Sequence, residues 1–179
     1  LLGETPDTIA GEKAGIIKAE VPVVIGETAD ETKGVFIGKA VEMDSEILFA
    51  DQNYSCVLFD SIYMTGEREY NIRDKIAEKS FKGEAGLEGD YQTKNLQTVF
   101  QAVSVLSRTL HISDKNIQDG IRKVVSNTGL MGRWQIIGKK PLTICDTGHN
   151  KEGLEYVVRQ LERIDKNRLH IILGFVKDK

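Results

Sequence analysis

Cysteine is scarce in this sequence, and its placement excludes two classes of fold. The 179 residues include only two cysteines, Cys56 and Cys145, which stand far apart in apolar surroundings. No C-x-x-C spacing is present, so neither a disulfide-stapled scaffold nor a cysteine zinc cage is expected. The expectation is two buried thiols in a reducing compartment, and hence a cytoplasmic protein.

Long hydrophobic runs and an excess of either charge are also missing. The longest apolar run, about eight residues between Leu169 and Val176, is far shorter than the roughly 20 residues of a membrane-spanning helix. Lysine and arginine number 24 against 27 acidic residues, which gives a formal net charge of −3. We therefore expect no membrane span and no bulk electrostatic binding to nucleic acid, which needs a strongly basic surface.

The sequence lacks the short motifs that by themselves indicate a nucleotide-binding or hydrolase site. No segment matches the phosphate loop G-x-x-x-x-G-K-[ST], the dinucleotide motif G-x-G-x-x-G or the nucleophile elbow G-x-S-x-G. The three histidines, His111, His149 and His170, are too scattered in sequence to predict a metal cluster. A self-contained phosphate site is therefore not expected from these residues alone.

The first thirty residues predict a helix, a strand and the start of a second helix. Thr5 and the proline after it are typical of a helix start, which predicts a helix over 6–14. A continuously apolar segment predicts a strand over 21–26. Thr28 and Glu31 have the spacing of a capping box, so the second helix should begin there. This order of elements is typical of an α/β sheet.

The middle of the chain predicts a small antiparallel sheet followed by two helices. Short apolar runs separated by turn residues predict an antiparallel meander. The runs lie at 47–49, 54–59 and 62–64. Three glycines between 83 and 89 predict a loop. Apolar residues three and four positions apart then predict core-facing helices over 96–106 and 114–125, the second capped by Ser113.

The last fifty residues predict a separate α/β unit. Small turn-forming residues over 126–129 form a candidate linker, so we expect one domain over 1–127 and the start of another over 128–179. Beyond the linker, a strand, a helix and a second strand predict one right-handed crossover. These three elements are expected at 142–146, 154–161 and 169–175. The residues from 146 to 150 should then lie at the carboxyl end of a strand, where open α/β folds bind ligands.

Four segments carry side chains suited to chemistry, and each also has a plain structural interpretation. Asp146 to Asn150 can reach a ligand at a helix start, or can simply form the turn and the helix cap. Arg133 can pair with a phosphate or stack on Trp134. Lys13 can do no more than complement a helix dipole, and Asn95 can be a surface group of the long helix. The residues alone leave these alternatives open.

Taken in order, these segments resemble one family. The run from Leu2 to Val24 resembles the segment LGxTxxxIAxEKAGIIKxxxPVV of the folylpolyglutamate and dihydrofolate synthases, members of the Mur ligase family. Leu87 to Asn95 resembles their LxGxHQxxN helix start, Gly132-Arg133 their PGR motif, and Asp146 to Asn150 their DGAHN motif. The resemblance spans nearly the whole chain.

The departures from the family's motifs change few polar groups. Tyr91 stands where the family has histidine, and Met131 stands where it has proline. Lys151 replaces the proline that usually follows the DGAHN motif. The polar residues that are retained are Asn95, Arg133, Asp146, His149 and Asn150. We therefore expect altered loop conformations and the same functional groups.

The resemblance implies a Mur ligase-type α/β fold. The chain would supply the later part of a P-loop-like central ATPase domain with a small antiparallel sheet, and the first strand-helix-strand unit of a Rossmann-like carboxyl-terminal domain. In the family the phosphate-binding loop and a magnesium-binding histidine precede the first matching segment. The expectation is therefore a fragment, inactive by itself, of a cytoplasmic monomer.

The resemblance also implies residue roles. Lys13 matches a lysine that is often carbamylated in the family, and as a carbamate it would help to hold Mg²⁺. Asn95 would contact the adenine of ATP, Arg133 its phosphates, Asp146 its ribose and His149 the γ-phosphate region. Asn150 is expected in the same nucleotide site. Lys13 and His149 are the expected catalytic residues.

The implied reaction is the ligation of glutamate to a folate or dihydropteroate. The γ-phosphoryl group of ATP would pass to a substrate carboxylate, and the amine of glutamate would attack the acyl phosphate. A Mur ligase relative that acts on another carboxylate is an alternative, against which the EKAGIIK segment argues. A non-catalytic module that binds a nucleotide or another chain is a further alternative.

Overall fold

The computed structural model describes residues 5–59 and 67–174, in which helices and short strands alternate as an α/β fold. The helices are α1 (Pro6–Ala14), α2 (Asp30–Glu42), α3 (Ala50–Asn53), α4 (Gln92–Leu106), α5 (Asp114–Arg122), α6 (Val124–Thr128) and α7 (Lys151–Glu162). The strands are β1 (Val23–Ile25), β2 (Ile47–Phe49), β3 (Tyr54–Leu58), β4 (Arg68–Asp74), β5 (Lys79–Ala85), β6 (Gln135–Lys139) and β7 (Leu142–Cys145). Their order in the sheets is β1-β2, β3-β4-β5 and β6-β7.

The described residues fall into two compact units. Of the described residues, the first unit contains 5–57, 70–83 and 93–118, and the second contains 58–59, 67–69, 84–92 and 119–174. No helix within 5–59 or 67–174 combines the length and the apolar character that a membrane crossing needs. The domain boundary expected between 127 and 128 stays a prediction.

The first helix forms as its sequence predicts. The Thr5 hydroxyl accepts a hydrogen bond from the Thr8 amide at 3.3 Å, and the Thr8 hydroxyl accepts one from the Thr5 amide at 3.1 Å. The proline at the first helical position has no amide to leave unpaired. Ala10 and Ala14 are buried along one side, and the helix ends before Gly15. The predicted bounds of 6–14 are confirmed.

The predicted N-cap of the second helix, Thr28, is wrong by one residue. Helix α2 begins at Asp30, and its N-cap residue Ala29 makes no side-chain cap bond. The amide and the hydroxyl of Thr28 each donate to the Asp51 carboxylate at 2.7 Å. Thr28 therefore uses its amide and its hydroxyl in this long-range contact and not in a helix cap.

The predicted meander is confirmed in part and corrected in part. Residues 47–49 form a strand, but it pairs in parallel with β1 in another sheet, with Val24 opposite Leu48. The segment 62–64 lies outside the described residues. The sheet that contains β3 and β4 has β5 as its third strand. Because β4 and β5 are neighbours joined by only four residues, 75–78, they are antiparallel.

Gly83 lies in β5 and not in the predicted loop, and the reason is a close approach. A Cβ at this position would lie 2.7 Å from the hydroxyl of Tyr70. A strand glycine often marks a place where another group comes too near for a side chain. Gly83 therefore indicates close packing, whereas Gly86 and Gly89 lie in the predicted loop, between β5 and α4.

Aromatic rings form the core of the first unit. Phe100 on α4 lies with its ring centroid 6.2 Å from Tyr54, 6.1 Å from Tyr70 and 5.4 Å from Phe81. These distances are within the range of favourable tilted and edge-on ring pairs. Phe100 is 4 % exposed and Tyr70 is 1 % exposed. The predicted helix over 96–106 is confirmed, with Leu96 and Phe100 buried as predicted, whereas Val99 and Leu106 are exposed.

The helix predicted over 114–125 is divided in two. Ser113 caps α5, because its hydroxyl accepts from the Asn116 amide at 3.2 Å and its own amide donates to the Asn116 side chain at 3.0 Å. Residues 124–128 form the separate helix α6, so the predicted linker over 126–129 is wrong for 126–128. The turn comes at Gly129, whose φ of +68° suits glycine.

The crossover predicted for the end of the chain is described only as far as its helix. Strand β7 and helix α7 are present, whereas residues 169–174 form no strand, and Ile172 is 97 % exposed. A buried strand needs a neighbour that pairs with its backbone, and none within 5–59 or 67–174 pairs with this segment. Strand β7 pairs antiparallel with β6, which the sequence pattern did not predict.

Candidate nucleotide site

The pairing of β6 with β7 brings two loops of the second unit together. Gln135 lies opposite Cys145, so the residues before β6 meet the residues after β7. The Gly132 carbonyl accepts from the Thr147 amide at 2.9 Å and from its hydroxyl at 3.0 Å. The Gly132 amide donates to the Gln135 side chain at 2.9 Å. Arg133 and Asp146 are thereby fixed in one cluster.

Gly132 and Trp134 both have left-handed backbone conformations. The φ angle of Gly132 is +69°, and a Cβ there would lie 2.5 Å from the Thr147 methyl carbon. Trp134 has a φ of +50°, which is strained for a bulky residue. Burial of its indole, which is 2 % exposed, offsets this strain.

The Asp146 carboxylate accepts three hydrogen bonds from the same unit. Its Oδ2 accepts from the Trp134 amide at 2.7 Å and from the Tyr91 hydroxyl at 2.9 Å. Its Oδ1 accepts from the Gly148 amide at 2.7 Å. Asp146 therefore joins the segment before β6, the segment before α4 and the loop before α7.

Tyr91 is the member of this cluster that sequence reasoning missed. Its ring meets Tyr156 edge-on with centroids 6.4 Å apart, and a Cβ at Gly89 would lie 2.6 Å from its Cε1. Burial and the neighbouring Asp146 carboxylate raise the pKa of the Tyr91 hydroxyl, so it remains a hydrogen-bond donor well above neutral pH. The one available sign was its departure from the histidine of the related motif.

Arg133 is held by its own loop. Its Nη1 donates to the Thr147 hydroxyl and to the Gly132 carbonyl, the latter at 3.3 Å. Within residues 5–59 and 67–174, its Nε and Nη2 have no hydrogen-bond partner. The guanidinium therefore keeps donors for an anion while one nitrogen fixes its position.

His149 and Asn150 lie at the start of α7. A carbonyl oxygen only accepts, so His149 Nδ1 donates to the Thr147 carbonyl at 3.2 Å and its exposed Nε2 faces away from that bond. The Asn150 side chain accepts from the Gly153 amide at 2.8 Å and caps the helix. The capping interpretation of Asn150 is confirmed, and its nucleotide-binding role stays a prediction.

Lys13 and Asn95 belong to the first unit. Lys13 is exposed in the last turn of α1, and Asn95 is exposed in the first turn of α4. The structure thus brings Arg133, Asp146 and His149 into one cluster in the second unit. Lys13 lies on α1 and Asn95 lies on α4, both in the first unit. Their predicted roles stay predictions.

The described residues do not supply a metal cage. Within 5–59 and 67–174, no three side chains of histidine, cysteine, aspartate or glutamate are grouped so as to hold an ion. A carbamate on Lys13 would offer oxygen ligands, the kind that Mg²⁺ prefers, but without two further carboxylates or histidines from this part of the chain. We therefore assign no chemical step to Mg²⁺ through these residues.

A second polar network, also missed from the sequence, fixes the segment before Tyr91. Arg68 is 5 % exposed, and its Nη1 donates to the Glu88 carbonyl at 2.8 Å and to the Asp90 carboxylate at 2.7 Å. Gln160 of α7 donates to the Glu88 carbonyl at 2.9 Å and accepts from the Asp90 amide at 2.8 Å. This arrangement fixes residues 88–90 against α7.

The charges of the cluster suit a ligand that combines phosphate and hydroxyl groups. The amino terminus of α7 and the Arg133 guanidinium favour an anion, and His149 does so as an imidazolium, in which both ring nitrogens donate. Asp146 is an acceptor, and it favours a hydroxyl donor. A nucleotide has both kinds of group.

Known proteins are similar to this chain in sequence and in fold. No family model matches the chain. A dihydrofolate synthase/folylpolyglutamate synthase of Bacillus subtilis is 28 % identical over 183 residues, which cover 100 % of this chain and 41 % of that protein. A folylpolyglutamate synthase of Lacticaseibacillus casei is 29 % identical over 181 residues, which cover 100 % of this chain and 41 % of that protein.

The fold similarity agrees with the sequence similarity. A folylpolyglutamate synthase in complex with AMPPCP and folate superposes with a TM-score of 0.78 at 26 % identity, covering 91 % of this chain and 38 % of that one. The chain thus spans about two-fifths of the length of the curated relatives it matches. It is a homologue of the folylpolyglutamate and dihydrofolate synthases, which are ligases, and it has their Mur ligase-type α/β fold.

Proposed function

We propose that the chain is part of an ATP-dependent ligase that adds L-glutamate to a carboxylate of a folate or a dihydropteroate. The cluster of Arg133, Asp146 and His149 carries the proposal, because it combines anion-binding donors with a hydroxyl acceptor. The names of the relatives, and a similar structure that contains AMPPCP and folate, support the same substrates.

The proposed nucleotide pose uses the donors and acceptors that the loops leave available. Arg133 Nε and Nη2 bind the phosphates, His149 Nε2 lies towards the γ-phosphate, and Asp146 accepts from the ribose. Asn150 acts by fixing the amino terminus of α7, whose dipole favours negative charge. Asn95 binds the adenine, with an amide that can both donate and accept.

The proposed reaction has two displacements. An oxygen of the substrate carboxylate attacks the γ-phosphorus, the bond to the bridging oxygen breaks, and ADP leaves. The glutamate amine then attacks the acyl carbon, phosphate leaves with the bonding electron pair, and the amine loses its proton to solvent. Arg133, together with His149 as an imidazolium, contributes by neutralising charge that shifts between phosphate oxygens. Mg²⁺, when bound, supplies further neutralisation of the phosphates.

We propose in addition that the 179 residues do not catalyse this reaction alone. They contain no G-x-x-x-x-G-K-[ST] loop to hold the β- and γ-phosphates, and no described three-residue metal site. The prediction is that ADP release by the isolated chain does not respond to glutamate. Detectable glutamate-dependent ADP release by this chain would contradict it.

Calorimetry and an enzyme assay test the proposed function together. The full-length protein is titrated with ATP and Mg²⁺, with dihydropteroate and with a folate, and ADP release is measured with and without glutamate. Binding of ATP and one pterin substrate, with ADP release that needs glutamate, supports the proposal. ATP binding without a pterin substrate favours another carboxylate substrate, and ATP binding with no ligation favours a nucleotide-binding module.

A further inference from the structure

The Asp146 carboxylate is mostly occupied before any ligand binds. Two carboxylate oxygens offer about four acceptor positions in all. Oδ2 already accepts from the Tyr91 hydroxyl and the Trp134 amide, and Oδ1 accepts from the Gly148 amide. One acceptor position is therefore left, and it lies on Oδ1.

Tyr91 is the only side-chain donor among these three partners. The other two are backbone amides, which no substitution removes while the loops keep their path. The Tyr91 ring is held by the space at Gly89 and by the edge of Tyr156. Its hydroxyl therefore meets Oδ2 at 2.9 Å from a fixed direction.

The two hydroxyls of a ribose are on adjacent carbons. A carboxylate that binds both usually accepts a hydrogen bond from one hydroxyl on each of its two oxygens. In this cluster Oδ2 is closed by Tyr91 and by the Trp134 amide. A ribose hydroxyl can approach Oδ1 alone. The geometry thus limits the number of hydroxyls that Asp146 can bind.

We propose that Tyr91 is a positioning residue that restricts Asp146 to one of the two ribose hydroxyls of a bound nucleotide. The proposal deepens the nucleotide site described under the proposed function and rests on it. Tyr91 does not touch the nucleotide in this role. It acts by occupying Oδ2 and fixing the plane of the carboxylate.

Deoxynucleotides test how many ribose hydroxyls Asp146 binds. Dissociation constants of ATP, 2′-deoxy-ATP and 3′-deoxy-ATP are measured by calorimetry on the full-length protein. The protein should lose about tenfold in affinity for one analogue, since a hydrogen bond to a charged group is worth about 1.5 kcal/mol or more, and change little for the other. Equal losses for both analogues would overturn the proposal.

Tyr91→Phe removes the hydroxyl and keeps the ring. With Oδ2 open, both hydroxyls can reach the carboxylate, so the two analogues should differ by less than about threefold. Tyr70→Phe is the matched control, because the Tyr70 hydroxyl is buried in the first unit with no hydrogen-bond partner among the described residues. It should keep the wild-type difference, whereas an unchanged difference in Tyr91→Phe contradicts the proposal.

Amide hydrogen exchange tests the positioning separately from the nucleotide. The Trp134 amide shares Oδ2 with Tyr91, so Tyr91→Phe should speed its exchange several-fold, and Tyr70→Phe should not. Unchanged exchange in Tyr91→Phe would overturn the positioning claim. If ATP does not bind wild-type protein while Trp134 exchange responds, the nucleotide assignment and the hydroxyl claim fall, and the positioning of Asp146 stands.

Discussion

The two units are stabilised internally by different kinds of contact. The first unit has a ring cluster in which Phe100 contacts Tyr54, Tyr70 and Phe81. The second unit buries polar side chains, among them Arg68, Glu88 and Gln160. Ring packing depends mainly on shape and buried area, whereas a buried polar network depends on each donor meeting its acceptor.

This difference explains where the candidate site is found. The hydrogen bonds of the second unit fix residues 88–90, 132–134 and 146–148. The first of these segments leads into Tyr91, and the other two contain Arg133 and Asp146. A directional network holds loops in a defined position, which ligand binding needs. The ring cluster supports the first unit without defining the position of any such loop.

Phe100→Ala should have the largest effect on stability. The change removes the ring that three other rings contact and leaves a cavity, so the free energy of unfolding should fall by about 4 kcal/mol. Urea denaturation measures the change. Phe100→Leu is the control, and because it keeps an apolar side chain of similar reach it should cost about 1 to 2 kcal/mol. Equal losses in the two variants would contradict a shape-based core.

Arg68→Met should come next, with a loss of about 3 kcal/mol in the free energy of unfolding, because it removes the buried guanidinium that donates to both the Asp90 carboxylate and the Glu88 carbonyl. Urea denaturation again gives the change. Arg122→Met is the matched control, since Arg122 pairs with Glu67 and Glu84 at the surface and its loss should matter far less. A similar loss of stability in both variants would show that the burial of Arg68 adds nothing to the free energy of unfolding.

Gly132→Ala should lower the free energy of unfolding by about 2 kcal/mol. The new Cβ would lie 2.5 Å from the Thr147 methyl carbon, at a position with a left-handed backbone conformation. Gly129→Ala is the control. Gly129 has a similar φ of +68° but open space around it, so it should cost about 1 kcal/mol. Thermal unfolding compares the two. If Gly129→Ala is as destabilising as Gly132→Ala, the contact with Thr147 is not the cause.

The smallest expected effect is a loss of stability in alkaline solution. Burial raises the pKa of the Cys56 thiol from 9.0 to about 11. A raised pKa in the folded state gives stability that is complete below pH 9 and is lost as the pH rises towards 11. Cys56→Ala should therefore show a smaller fall in melting temperature between pH 8 and pH 11 than the wild type. An identical fall in both proteins would contradict burial of the thiol.

Local sequence patterns predicted the elements whose partners are near in sequence. Thr5 and Thr8 cap α1 across one turn, and Phe100 falls on the apolar face of α4. Asp146 to Asn150 lies between a strand and a helix, as its pattern predicts. In each case the residues that determine the structure lie within a few positions of each other.

Contacts between distant polar residues were not predicted. Thr28 bonds Asp51, Arg68 bonds Asp90 and Tyr91 bonds Asp146 across 23, 22 and 55 positions. A polar residue that is buried by such a contact has the same sequence pattern as one in solvent. The related motifs indicated Arg133 and Asp146, but only the structure shows that the Tyr91 hydroxyl donates to Asp146.

The activity of Arg133→Ala in the full-length protein tests the central claim most directly. If Arg133 binds the phosphates of ATP, kcat/KM for glutamate-dependent ADP release should fall by about a hundredfold or more, since one charge-stabilising donor is lost. Arg122→Met, a surface arginine of the same unit, should keep near-wild-type activity. Near-normal turnover in Arg133→Ala would contradict the nucleotide site proposed for this cluster.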